Sequence, residues 1–296
     1  MSPLIAVAAR DVVLATGGDA AAYLQGQISQ DVEAVEPGAS AWSLVLAPQG
    51  KVDSWFRLTR NHDGTFLLDV DAGFGPALVA RLERFRLRVD VVFERLTGWQ
   101  MLSVRSAREA EAAAAGAAAA EAALDAVEAV VRARVEWPRY CGVDLIGPAV
   151  APPEGLGVAT PAEFDAARIR AGWPALGREL TERTIPAEMG GLVEASVSFT
   201  KGCYTGQELV ARIDSRGGNV PRPVRLLEIR GNDEVSAGAE VSVDGRAVGE
   251  VTSAARDLRR GLTVALGPVH RRVEPPADAE VDGMPATVLA TPASST

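Results

Sequence analysis

The stretch FTKGCYTGQELVARIDSRGGNVPRPVR, Phe199 to Arg225, concentrates the residue types able to do chemistry. Thr205-Gly206-Gln207-Glu208 fits a capping box, in which a Thr side chain and a Glu three residues on satisfy each other's backbone amides. Leu209, Val210 and Ile213 then give the following short helix an apolar stripe, and Gly217-Gly218 ends it. Cys203 therefore stands just ahead of a helix N-terminus, whose partial positive charge favours a thiolate. Lys201, two residues away, adds to that field if its ammonium turns inward. Gly202 and Gly206 keep bulk away from the sulfur on both sides. This setting describes a reactive, accessible thiol; the alternative is a small buried apolar side chain. Cys141 has no such setting and reads as structural. Tyr204 either stacks on a ligand ring or packs in the core, and Gln207 reads as a residue that holds the turn. From 201 to 230 there are six basic and three acidic residues. Arg212 and Arg222 in that run suit a carboxylate- or phosphate-bearing ligand, or ion pairs between domains.

The rest of the composition narrows the chemistry. The chain has 296 residues and a net charge of -9, which excludes binding of nucleic acid by the whole surface. Two cysteines and two histidines, His62 and His270, lack zinc-ligand spacing. Two thiols exclude both a four-thiolate iron–sulfur cluster held by one chain and a disulfide scaffold. The N-terminus lacks a basic region before its short apolar stretch, and no apolar run reaches the ~20 residues of a membrane span. A soluble, cytoplasmic protein is expected, with no membrane contact.

The elements that must position these residues are short. Residues 4–15 suggest a strand or two, and Gly17-Gly18 a turn. Asp19 is placed to cap a helix through DAAAYLQGQI. Strands are predicted at 40–47 and 51–58, joined by Pro48-Gln49-Gly50, with a second hairpin at Asp63-Gly64. Residues 76–86 have helical spacing, and 87–93 alternate like a strand. Arg81, Arg84, Arg86 and Arg88 form a basic cluster, read as a solvated face or as an anion- or RNA-contacting surface. From Ala107 to Ala129, 14 of 23 residues are alanine, which predicts a peripheral helix. Residues 152–157 read as a connector and 161–171 as a helix. After Pro221, β runs at 223–230, 239–243, 246–252 and 262–266, with Asp244-Gly245 and Asp282-Gly283 turns, predict a small β-barrel. Residues 291–296 read as a frayed tail.

Lys201 to Glu208, K-G-C-Y-T-G-Q-E, resembles the motif of the YgfZ family, folate-binding relatives of the glycine cleavage T-protein (aminomethyltransferase). Residues 19–31, 46–58, 168–172 (RIRAG) and 184–192 (TIPAEMGGL) resemble other blocks of that family, in the same order. The resemblance implies an α+β fold: a three-lobed ring around a central folate cavity. Its lobes would be a discontinuous first lobe (1–45 and 140–220), an inserted α+β lobe (46–139) and a C-terminal β-barrel (221–296). It implies tetrahydrofolate as cofactor, with Cys203 and Asp53 as the chemical residues. Lys201, Gly202, Tyr204, Gly206, Gln207, Glu208, Glu188, Arg212 and Arg222 would contact the cofactor, the two arginines at its glutamate tail. The implied role is assembly, maintenance or repair of iron–sulfur enzymes, including those that thiolate tRNA. The expected partners are folate and iron–sulfur enzymes or assembly proteins, the protein itself being a monomer without strong nucleic-acid binding. Two positions depart from the T-protein pattern. Where T-proteins carry an adjacent acidic pair in the hairpin block, this chain has Asp53-Ser54. Where they carry an acidic residue before Ala-Gly, it has Arg170, which cannot accept bonds from a pterin ring; Glu188 and Glu179 are the candidate substitutes. An aminomethyltransferase is therefore the second reading, and an RNA-contacting module built on Arg81–Arg88 the third.

Overall fold

In the computed structural model the described residues are 3–107, 124, 127–135, 137–231 and 233–292. Their secondary structure is mixed, with many strands and few helices, in keeping with the α+β expectation. The first sheet contains β1 (Leu4–Thr16), β2 (Ser40–Leu46), β3 (Val52–Arg60), β4 (Phe66–Asp71), β5 (Val92–Leu96), β6 (Gln100–Ala107), β7 (Val131–Arg134) and β8 (Tyr140–Gly147). Its order is β2-β3-β4-β1-β6-β8-β7, with β5 beside β1. The "strand or two" at the start is one 13-residue strand serving two neighbourhoods. Leu4–Ala9 pairs with β6, whereas Arg10–Ala15 pairs with β4.

The sheet curls strongly. Arg57 on β3 reaches Asp144 on β8 at 3.0 Å, although β4, β1 and β6 lie between them in the strand order. Residues beside β2 and residues of β7, at the two ends of that order, line one common cleft. The concave interior holds a cluster of indoles. Trp42 and Trp55 stack at 4.3 Å, and Trp173 lies 5.3 Å from Trp42 and 6.3 Å from Trp137. Trp55 Nε1 donates to Ser196 Oγ at 2.9 Å, so its polar atom is satisfied inside the core.

The second sheet is antiparallel and comes wholly from residue 224 onward. It comprises β9 (Val224–Ile229), β10 (Glu240–Val243), β11 (Arg246–Glu250), β12 (Ser253–Asp257), β13 (Leu262–Pro268), β14 (Ala277–Val281) and β15 (Met284–Leu289). Its order is β11-β10-β14-β15-β9-β13-β12. Asp244-Gly245 and Asp282-Gly283 have positive φ at both residues, the turn that matches strand twist in two-residue hairpins. Strands β9 and β13 are apolar on both faces. Leu227 and Ala265 face the barrel's own core, whereas Leu226, Val264 and Leu266 join the main one.

The helices are α1 (Ala20–Gln27), α2 (Gly75–Glu83), α3 (Pro161–Arg170), α4 (Leu192–Ser196) and α5 (Gln207–Asp214). A capping box does occur, at Thr160 and Glu163 of α3, a T-x-x-E pattern the sequence reading passed over. Asp19 does not cap α1; its carboxylate accepts from Asp90 N at 2.7 Å. The strand expected at 87–93 is absent until Val92. Arg88 has φ +54°, which breaks an extended run, and Leu87 is 80% exposed. The alanine-rich stretch lies, at 108–123 and 125–126, outside the described residues, as do 293–296 of the expected tail. Among the described residues no helix is long and apolar enough to cross a membrane.

Candidate functional site

The loop carrying Cys203 is pinned at several points. Lys201 Nζ donates to the carbonyls of Gln25, Ile28 and Gln30 at 2.7, 2.8 and 2.8 Å, around the C-terminal end of α1. Ser198 N donates to Ser29 O at 3.0 Å, and Thr205 N to Gly26 O at 3.3 Å. Tyr204 is buried behind the loop. The predicted capping box is not formed. Helix α5 starts at Gln207 with Gly206 as its cap, and Gly206 adopts φ +82°. A Cβ there would lie 2.4 Å from Ala47 O, so the hairpin beneath dictates glycine and shifts the helix start past Thr205. Gln207 does hold the turn, its Oε1 accepting from Tyr204 N at 3.2 Å.

Cys203 is exposed and unpaired, and a Cβ on Gly202 would meet nothing within 4 Å, so the thiol's neighbourhood is open. The condition on which Lys201 would add to the field at the thiol is not met, because its ammonium is committed to three carbonyls. Burial pulls that ammonium down to about 8, against Asp31 and Glu33, which leaves it mainly protonated at neutral pH. Replacing Lys201 with Met leaves the three carbonyls without their shared donor. The expected loss is about 1–3 kcal/mol in urea unfolding, with faster amide exchange across 198–206. Unchanged stability and exchange would show that the loop holds without this anchor. Cys141 is half-buried and lies 3.6 Å from Ser106 O, as befits a structural residue.

A cavity of about 320 Å³ lies elsewhere, between β6, β8, α3 and the 256–260 turn of the barrel. Five arginines line it, at 105, 170, 256, 259 and 260, against two carboxylates, Glu163 and Asp257. Arg105 is 3% exposed and lies 3.7 Å over the Trp137 ring. It contacts Ser103 Oγ and sits 3.4 Å from Asp144, yet its Nε has no hydrogen-bond partner. Burial pulls the Arg105 guanidinium down to about 10; Asp144 opposes this, and Arg57 and Arg10 add to it. It remains a cation at neutral pH. Asp257 is 5% exposed; its Oδ1 accepts from the amides of Arg259 and Arg260 at 3.1 and 3.3 Å. Its Oδ2 lies 3.2 Å from Arg170 Nη1 but makes no hydrogen bond. Burial raises the Tyr140 hydroxyl beside these groups. The cavity thus offers a buried acceptor oxygen, a buried N–H donor and a cationic rim.

The expected site residues are not all brought together. No residue from Lys201 to Glu208 lines this cavity or the two smaller ones described, of about 260 and 120 Å³. Asp53, exposed at the start of β3, pairs with Arg81 Nε at 2.7 Å. Arg212 and Arg222 are exposed and line none of the three cavities. Glu188 is half-buried, with its carboxyl raised by burial, and accepts from Ile185 N at 3.0 Å. Glu179 is engaged by Arg168, Ala175 N, Thr252 and Ser253. In the basic cluster, Arg81 holds Asp53 and Leu46 O, and Arg86 holds Glu83 and Val91 O. Arg105, Tyr140 and Asp257 are the residues the sequence reading missed. An arginine inside the apolar strand MLSVRSA was the available signal for the first.

No family model matches the chain. A protein of Haemophilus influenzae, described only as uncharacterized, is 27% identical over 260 residues, covering 86% of this chain and 85% of the relative. The tRNA-modifying protein YgfZ of Edwardsiella ictaluri is 30% identical over 220 residues, 69% of this chain and 64% of its own length. The tRNA-modifying protein YgfZ of Colwellia psychrerythraea is 27% identical over 214 residues, 69% and 65% respectively. The chain thus spans a little under two thirds of those two relatives. Among solved structures, the glycine cleavage system aminomethyltransferase T of Bartonella henselae matches with a TM-score of 0.78. That match covers 100% of this chain and 89% of that one at 19% identity, which shows the fold. The chain is similar in sequence to the YgfZ proteins and carries the T-protein fold.

Proposed function

We propose that this protein binds a reduced folate in the arginine-lined cavity and acts as an accessory protein in the maintenance of iron–sulfur enzymes, with a bearing on tRNA modification. The Lys201–Glu208 motif, the YgfZ relatives named as tRNA-modifying, and the T-protein fold all support this reading. The observation that carries it is a pair of buried atoms without a hydrogen bond in one cavity, Asp257 Oδ2, which has only its ion pair with Arg170, and Arg105 Nε. A pterin ring carries N–H donors on one edge and O and N acceptors on another, so it fits both groups at once. Asp257 would accept from the ring, the task that Arg170 leaves open on α3. Arg105 would donate to it, with Trp137 beneath the guanidinium excluding water. The arginine rim brings positive charge toward the carboxylates of the glutamate tail, although Arg256 is held by the carbonyls of Gly231 and Gly261 and Arg260 by Glu228. Tetrahydrofolate, when bound, supplies a carrier for one-carbon units. Cys203, exposed on its pinned loop, would meet a partner enzyme. One thiol cannot hold a cluster alone, so a cluster belongs to that partner.

The aminomethyltransferase reading is weaker. Asp53, its only acid in the hairpin block, is ion-paired with Arg81 and does not line the cavity. The RNA reading loses the two cations, Arg81 and Arg86, that are tied within the protein.

Calorimetric titration with tetrahydrofolate tests the proposal. The wild type and Cys203→Ala should bind alike. Asp257→Asn should bind about 10–100-fold more weakly, the worth of one hydrogen bond to a charged group. No binding by the wild type would end the folate reading and leave the thiol and a protein partner.

A further inference from the structure

The stretch that leads from α2 into β5 exposes what a protein ordinarily buries. Five consecutive residues, Arg84-Phe85-Arg86-Leu87-Arg88, are exposed. Eight large apolar side chains are exposed among the described residues, and three of them fall within eight positions here: Phe85 at 40%, Leu87 at 80% and Val92 at 54%. Single exposed apolar residues are ordinary, but a group of them marks an interaction site. The loop is held in shape. The guanidinium groups of Arg81 and Arg84 lie 4.7 and 5.6 Å from the Phe85 ring. Arg86 is tied to Glu83 and, at 2.9 Å, to Val91 O just before β5. From 84 to 96 there are four arginines against Asp90 and Glu94, in a chain of net charge -9. Arg84, Arg88 and Arg95 are exposed and form no ion pair among the described residues. Asp90, by contrast, is engaged by Gly18 N at 2.9 Å.

Strand β5 is itself an edge. It pairs with β1 alone, and among the described residues none from 92 to 96 exchanges a backbone hydrogen bond with any other element. Its outer row of N–H and C=O groups is open, on a strand whose Val92, Glu94 and Arg95 are exposed. An open edge of this kind is where an extended chain can add as a further strand.

We propose that β5 is the docking edge for an extended, acidic segment of a partner protein, which joins the first sheet as a strand. Backbone bonds to β5 supply affinity, Leu87 and Val92 take apolar side chains, and Arg84, Arg88 and Arg95 draw carboxylates. Leu87, the most exposed of these side chains, offers a nucleic-acid base no stacking face. A lipid surface has no strand to set against the open edge. Residues 84–96 line none of the three cavities, so docking here does not depend on folate.

The full chain is titrated with a short dye-labelled peptide of alternating Glu and Val, followed by fluorescence anisotropy and amide hydrogen exchange. Saturable binding that weakens with salt is expected, with slower exchange across 92–96. Methylating the peptide's amide nitrogens along one edge removes the donors a strand needs and should weaken binding by about tenfold or more. A Lys–Val peptide of the same length should bind more weakly by a similar factor. Leu87→Ser and Arg84→Ala should each weaken binding about tenfold. Both positions are exposed, so the variants should fold, which an unchanged thermal transition verifies. Absence of saturable binding overturns the proposal. So does binding that ignores N-methylation, or that leaves exchange at 92–96 unchanged. Binding of phosphatidylglycerol vesicles or of an RNA hairpin that Leu87→Ser and Arg84→Ala weaken, while the Glu–Val peptide does not bind, would give the surface to lipid or RNA instead.

Discussion

Replacing Asp144 with alanine is expected to cost about 3–5 kcal/mol of stability, the range seen when one partner of a buried ion pair is removed. Asp144 is 3% exposed and lies in the middle of a chain of charges inside the first sheet. Arg10 bonds Asp69 and Asp71, Asp69 bonds Arg57, and Arg57 bonds Asp144, which also accepts from Ser103 and faces Arg105. Without Asp144, among the described residues, Arg57 keeps only Asp69, which it shares with Arg10, and Arg105 keeps no carboxylate within ion-pair distance. Two buried guanidinium groups are then under-compensated at once. Urea unfolding followed by tryptophan fluorescence reads the loss; a drop below about 1 kcal/mol would mean that water or repacking replaces the carboxylate. The same residue sets an acid limit. Burial pushes the Asp144 carboxyl up, but Arg105 and Arg57 outweigh it and hold the group below the ordinary carboxylate value. Its contribution is therefore present above the unfolded value of about 4 and fades as pH falls through the lower folded one. Wild-type stability should decline below about pH 4, and Asp144→Asn should flatten that part of the curve.

Glu179→Ala should have an effect of the same order, about 3–5 kcal/mol, and a different character. The Glu179 side chain is 0% exposed. It accepts from Arg168 Nη1 at 2.9 Å, Ala175 N at 3.1 Å, Thr252 Oγ1 at 2.8 Å and Ser253 Oγ. Arg168 completes the knot by donating to Ser253 Oγ at 2.9 Å and to Trp173 O at 2.7 Å. Residues 252 and 253 open the barrel strand β12, whereas Arg168 belongs to α3. The knot therefore bolts the barrel to the rest of the molecule, and the Arg170–Asp257 pair beside the cavity depends on that alignment. Limited proteolysis should find the exposed connector at 215–219 cut faster in the variant, and folate affinity should fall with it. A variant that unfolds at a lower temperature but keeps wild-type cleavage and affinity would show that the knot stabilises α3 alone.

What the sequence made legible was local. The Asp-Gly hairpins at 244 and 282 follow from turn chemistry that two residues supply by themselves. The Lys201–Glu208 motif led to the family for the same reason: its information is contiguous. The first residue of α5 was not legible, because Gly206, at positive φ, has no room for a side chain against Ala47 O, a neighbour 159 positions away in the chain. The cavity was harder still, since Arg105, Tyr140 and Asp257 come from three strands. The charge ladder left a trace that a closer reading would use. Arg57 sits in WFRL, Asp69 in LLDV and Asp144 in VDLI, each a charge flanked by apolar neighbours within a strand. Such charges are rarely buried alone, so their partners were bound to be one another.

The cleft between β2 and β7, where the first sheet stays open as a seam, has a consequence for the behaviour of the protein at high concentration. A sheet that ends in two free edges ordinarily offers each as a template onto which a foreign strand can add. Here the curl brings both ends of the strand order, β2 and β7, to the same cleft. A second chain seeking to extend the sheet would have to enter a gap rimmed by Arg132 and Arg134. Arg132 and Arg134, exposed on β7, thereby guard the seam against edge-to-edge self-association, and neutralising both should make the protein more prone to aggregate.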